Sequence, residues 1–248
     1  MASLSQSVPA PAARKLVTNR NGLLEEYFYL AMSLLFATIV VTGFSRTVNQ
    51  NLFHPAIPRP FLLWVHGAAF SGWVAFYIFQ SALVRSRNVK LHRKLGWIGA
   101  GLGAVMVPLG LTTAVIMNRF DAVELHQPFP AFLSIPFYDM LAFGTMFSLA
   151  IAWRRKPELH RRLLFLATCC LLDAPFGRSD FIFNHDLYFV CLDIVALLGV
   201  VRDLIVNRSV HAVYRYALPL MIVGQAFTVY LWRGSPAWWL RATQTITS

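Results

Sequence analysis

Charge is scarce in this chain. Only 13% of its 248 residues are Asp, Glu, Lys or Arg, and the acids are fewer than the bases, 11 against 22. Beside 57% hydrophobic and 14% aromatic residues, so little charge excludes both a disordered chain and an ordinary soluble domain. Cysteine is scarce as well. Cys169, Cys170 and Cys191 all fall inside apolar runs with no CxxC pair, which excludes a disulfide framework and a cysteine-rich zinc module. The lack of CxxCH excludes covalent c-type haem, and the lack of HExxH or HxxxH removes the spacings that place two metal ligands on one helix. Residues 1–26 hold no apolar stretch followed by a small-residue cleavage site, so they read as a mobile cytoplasmic tail and not as a signal peptide.

What is abundant is apolar sequence in long runs. Seven of them approach the ~20 residues that cross a bilayer: 27–45, 61–84, 96–117, 136–153, 161–177, 186–205 and 212–232. The expectation is an all-α polytopic membrane bundle of about seven helices. It comprises the tail 1–26, one transmembrane domain 27–232 and an outer interfacial tail 233–248. The fifth run is short and is broken near its end by Pro175.

The net charge of +11 is explained by where the bases lie, since cytoplasmic loops are enriched in Lys and Arg. Arg14, Lys15 and Arg20 precede the first run. Arg85, Arg87, Lys90, Arg93 and Lys94 join the second to the third. Arg154, Arg155, Lys156, Arg161 and Arg162 join the fourth to the fifth, and Arg202, Arg208 and Arg215 flank the last connection. All four groups fall on one side, which puts the N-terminus inside and the C-terminus outside a bacterial inner membrane. Trp232, Trp238 and Trp239 then form an outer aromatic belt. The basic loops suit anionic lipid headgroups, and nucleic acid is not a partner.

Loop text recurs through the chain. Leu91-His92-Arg93-Lys94-Leu95 and Leu159-His160-Arg161-Arg162-Leu163 lead into the third and fifth runs, and His211 with Arg215 leads into the seventh. His66 and His92 stand at the same interval as His185 and His211, so three helical hairpins on one plan are expected. Gly96, Gly99, Gly103 and Gly110 return to one helix face, a pattern that lets helices approach closely in lipid.

A charge in hydrocarbon is costly, so ionisable residues within or beside the runs are candidate site residues. These are His66, Asp139, Asp173, His185 and Asp193. Counted at ~1.5 Å per residue from the run ends, His66, Asp139, Asp173 and Asp193 fall in the outer third of the bilayer, with His185 just above them in the loop joining the fifth and sixth runs. Imidazole with two or three carboxylates suits a divalent metal such as iron, copper or zinc. Haem b needs axial histidines from different helices at one depth, for which His66 with His185 and His92 with His160 are the two possible pairs. Interhelical hydrogen bonding alone is the third account of the same residues.

The stretch Trp64 to Trp97, with His66 followed by the Leu91-His92-Arg93 loop, resembles bacterial multi-span membrane proteins loosely grouped with cytochrome-b-like families. The resemblance covers residues 60–170 and implies that His66, His92 and His160 bear on function, without fixing a cofactor. A retinal protein is not indicated, because residues 212–232 contain no lysine. The ceramidase-like membrane hydrolases also fit poorly, since His66 and Ser71 stand in the reverse order and no histidine pair occupies the last run. Three functions remain: a metal- or haem-binding redox protein, placed first; an accessory subunit of a membrane complex; and a proton-coupled small-molecule transporter.

Overall fold

A chain this apolar cannot leave backbone polar groups open to its surroundings, and helices satisfy them within each segment. The computed structural model describes residues 12–127 and 130–247, and every regular element among them is helical. In order these are α1 (Ala12–Ser45), a π-helical turn (Asn49–Phe53), α2 (Leu62–Arg85), α3 (Val89–Val123), a 3-10 turn (Pro130–Leu133), α4 (Ser134–Ala152), α5 (Pro157–Cys169), α6 (Asp173–Phe176), α7 (Asp180–Asn184), α8 (Tyr188–Asn207), α9 (Ala212–Gly234) and α10 (Ala237–Thr247).

Among the described residues four segments are long and apolar enough to cross a membrane: Gly22–Ser45, Leu62–Arg85, Val89–Val123 and Pro130–Ala152. The last three of the seven expected runs fall short of this for local reasons. At 13 residues α5 reaches only about 20 Å, against ~30 Å of hydrocarbon. The 20 residues of α8 include Asp193, Arg202 and Asp203, and α9 is diluted by Arg215, Gln225 and Arg233. Residues 12–26, expected to be a mobile tail, continue α1 as helix, while residues 1–11 lie outside the described residues. The expected outer tail is largely the helix α10, tied down where Trp239 Nε1 donates to the Ala131 carbonyl.

Helix starts set the histidine positions at the basic end of the bundle. The Asn88 side chain accepts from the Leu91 N–H and starts α3, which puts His92 in its first turn. Pro157 occupies the first position of α5, where its missing N–H costs nothing, and His160 follows in that turn. His211 Nδ1 accepts from the Val213 N–H and starts α9.

The short helix α5 lies in the interior. Its Arg162, Leu163 and Phe165 to Cys169 are all buried. Phe165 packs against Phe28 and Phe36 of α1, each at a ring separation of 5.7 Å, and Trp73 of α2 sits edge-on to Phe143 and Phe147 of α4. Along α3, Gly99 lies against Phe76, Gly103 against Phe147 and Gly110 against Met140, so three of the four stripe glycines mark close helix approach, whereas Gly96 faces open space. Large apolar side chains also point outward, with Val41 67%, Leu141 68%, Leu220 70% and Val223 67% exposed on α1, α4 and α9.

Candidate functional site

Among the described residues the buried charged groups fall into two clusters, Asp139 and Asp173 at one end of the bundle and Arg162, Arg202 and Asp203 at the other. At the end away from the basic connections, Asp139 on α4 and Asp173 at the start of α6 are buried, with their carboxyl groups as close electrostatic neighbours. Two carboxylates offer only acceptors, so a direct bond between them requires that one carry a proton. The Oδ1 atom of each is buried without a hydrogen-bond partner. Asp173 reaches this place because the chain stops being α5 at Cys169 and turns before α6, whose Pro175 has no N–H with which to continue the helix above it. Gly43 of α1 lets the Pro175 backbone come close, since a Cβ there would overlap its carbonyl.

Around the pair, Tyr138 and Cys170 are electrostatic neighbours of Asp139, Asp173 and Asp193. The Tyr138 hydroxyl donates to the Met221 carbonyl at 2.8 Å. Asp193 on α8 accepts from Gln225 Nε2 on α9 at 3.0 Å. The Arg178 guanidinium lies 5.3 Å over the Phe44 ring, and its charge acts on both Asp173 and His66. His66 stacks on Phe70 with ring centroids 4.1 Å apart and leaves Nδ1 buried without a partner.

The five candidate metal ligands are therefore distributed unevenly. Asp139 and Asp173 bond directly, Asp193 is engaged by Gln225, and His66 neighbours Arg178. His185 is exposed, with Nδ1 2.8 Å from the Phe181 carbonyl and its ring against Phe181. Among the described residues no three His, Cys, Asp or Glu side chains are grouped so as to hold a metal ion. Of the two possible haem pairs, His92 and His160 are the ones drawn together. Their ring centroids are 6.5 Å apart with planes at 72°, and His160 Nδ1 lies 2.8 Å from the Ala150 carbonyl. His92 Nδ1 has no partner.

The basic end holds a cluster that the sequence reading missed. Arg162 of α5, fully buried, donates from Nε and Nη2 to both oxygens of Asp203 on α8, at 2.8 and 2.6 Å. Its Nη1 donates to Glu158, which also accepts from Arg161. Arg202 Nη1 and Asn207 Nδ2 complete the ring of donors on Asp203. Partial burial pushes the Glu158 carboxyl up, but the hydrogen bonds and charges of Arg162 and Arg161 together outweigh it and hold the group below the usual carboxylate range. Arg202 and Asp203 sit within an expected run, so the rule that flagged Asp193 applied equally to them. Tyr138 and Cys170 carried no such signal, because a tyrosine and a thiol within an apolar run read as core.

No family model, curated protein or solved structure matches the chain. Among the described residues, fold and site together define an all-helical protein with four helices long and apolar enough to cross a membrane, a buried pair of neighbouring carboxyls at one end and a buried arginine–aspartate network at the other.

Proposed function

We propose that this chain is an integral membrane protein of seven spans whose far-end acid cluster binds a proton and passes it on, in the manner of a proton-coupled carrier of small solutes. The observation that carries this reading is the neighbouring pair Asp139 and Asp173, both buried and each with an Oδ1 that no hydrogen bond satisfies, an arrangement in which the two carboxyls do not both ionise. Intramembrane acids that pair with one another are characteristic of proton relays. The break between α5 and α6 supports the same reading, since discontinuous helices at membrane depth are where transporters place coupling sites. Outward-facing Ile194, Leu197 and Val201 on α8 and Leu220, Val223 and Phe227 on α9 support membrane contact for these two helices as well.

The test is infrared difference spectroscopy on detergent-purified protein. The expected result is a deuterium-sensitive carbonyl band from a protonated carboxyl that disappears in both Asp139→Asn and Asp173→Asn and persists in Asp193→Asn. A spectrum without that band, or one unaffected by either substitution, removes the proton site and the reading with it.

The Lys and Arg distribution supports an inside N-terminus and an outside C-terminus. A reporter fused after Ser248 should accordingly be active on the outer side. A cytoplasmic signal would mean an even number of spans, with the 13-residue α5 the first helix to reassign.

A second reading rests on His92 and His160. These two rings come together from different helices and His92 Nδ1 has no partner, so they are the residues that would hold the iron of a b-type haem, which would supply redox chemistry when bound. Under that reading purified protein shows a Soret band that is lost in His160→Ala. A colourless preparation from haem-replete cells counts against it.

A further inference from the structure

Among the described residues at the far end of the bundle, three buried oxygens have no hydrogen-bond partner: Oδ1 of Asp139, Oδ1 of Asp173 and the Tyr188 hydroxyl. Two of them come from helices that pack together, since Asp173 opens α6, Tyr188 opens α8 and α6 lies against α8. Tyr188 is 2% exposed, with its ring beside Phe183 and Phe189, so its hydroxyl cannot turn to solvent. Its electrostatic neighbours are the buried Asp173 and Asp139 and, at the surface, Asp186 and Arg233. Buried oxygens are costly to leave unmatched, and an internal water held by several polar groups is a common way of matching them.

Each polar neighbour of the acid pair is a way out for a proton, and local chemistry separates them. Past His66 the way is opposed by the Arg178 guanidinium, whose charge acts on both His66 and Asp173. Past Tyr138 it is blocked by prior commitments, because the Tyr138 hydroxyl donates to the Met221 carbonyl at 2.8 Å and Asp193 already accepts from Gln225. The Cys170 thiol on that side is buried and a weak donor. Tyr188 differs in that its hydroxyl is uncommitted. The cation beside it, Arg233, is neutralised by two-point pairing with Asp186, from Nε at 3.0 Å and from Nη2 at 2.8 Å. Both partners of that pair are partly exposed, so this side of Tyr188 leads to water.

We infer that Tyr188 is the relay through which the acid pair exchanges its proton with the far-end surface, with one internal water bridging its hydroxyl to the two carboxyls. The inference rests on the reading that Asp139 and Asp173 hold a proton between them. In the outward step the Tyr188 oxygen takes a proton from the bridging water as its own O–H proton passes to surface water beside Asp186. The proton of the acid pair restores the bridging water. The pair ends one proton poorer and the surface water one richer, and Tyr188 is neutral before and after the step.

The experiment is infrared spectroscopy on detergent-purified full-length protein moved rapidly from H2O into D2O, with the shift of the protonated-carboxyl band followed in time. Tyr188→Phe should keep the band, since neither acid is touched, and slow its exchange about a hundredfold, the lower end of what a positioned proton-transfer group contributes. A hydroxyl with a merely structural role would lower the unfolding midpoint and leave the exchange rate alone. Exchange at the wild-type rate in Tyr188→Phe, whatever its midpoint, therefore overturns the relay. Slowing of equal size in Asp193→Asn would route the proton along α9 as well and overturns it too. Absence of the band from the wild-type protein, seen before any exchange is timed, removes the proton site itself and is thereby told apart from failure of the relay.

Discussion

Asp203→Leu is expected to be the most damaging single substitution in this protein, at about 3–5 kcal/mol, because it strips a buried cation of its carboxylate. Arg162 and Arg202 both donate to Asp203, and neither side chain is more than 1% exposed, so neither can turn to water once it is gone. Arg162 retains Glu158, whereas Arg202 retains only the distant Glu25. Thermal unfolding in detergent checks the expectation. Arg161→Ala serves as the contrast, since the pair between Arg161 and Glu158 is partly exposed and such pairs contribute about 0–1 kcal/mol. Equal unfolding midpoints for the two variants would mean that the network is solvated and does not hold α5 to α8.

Gly43→Ala should separate the acid pair without altering either acid. A Cβ at Gly43 meets the Pro175 carbonyl and backbone carbon, which cannot move as the tip of a flexible side chain can. Overpacking of this kind costs about 1–3 kcal/mol, and its relief pushes α6 away from α1. Because Asp173 opens α6, the displacement carries its carboxyl away from that of Asp139, so the protonated-carboxyl band expected of the pair should weaken together with stability. Gly96→Ala is the control, for it has nothing within 4 Å to collide with. If Gly43→Ala matches Gly96→Ala in both unfolding and infrared signal, α6 is not held in place by α1.

These two expectations draw on different kinds of information. Glycine spacing along α3 already pointed to close packing, and Gly99, Gly103 and Gly110 do meet aromatic or methionine side chains of neighbouring helices. Gly43 belongs to no stripe, and its partner is more than a hundred residues away in sequence. The acids divide similarly. Asp139 and Asp173 each stood out as a charge in an apolar run, but helical periodicity does not fix the rotation of one helix against another. His185 looked equivalent to His66 by depth, yet it sits at the end of the short helix α7, with its ring turned back on Phe181.

The sequence by itself determined that the chain is helical throughout its regular elements and carries segments long and apolar enough to cross a membrane, because composition and run length alone decide how a backbone satisfies its polar groups in apolar surroundings. It also determined which residues would be expensive to bury. Only the tertiary structure decided which of them meet. Asp139 with Asp173, Arg162 with Asp203, and His92 with His160 are joined across helices by side-chain packing, and that packing depends on helix rotation, on the break after Cys169 and on the close approach at Gly43, none of which a one-dimensional pattern contains.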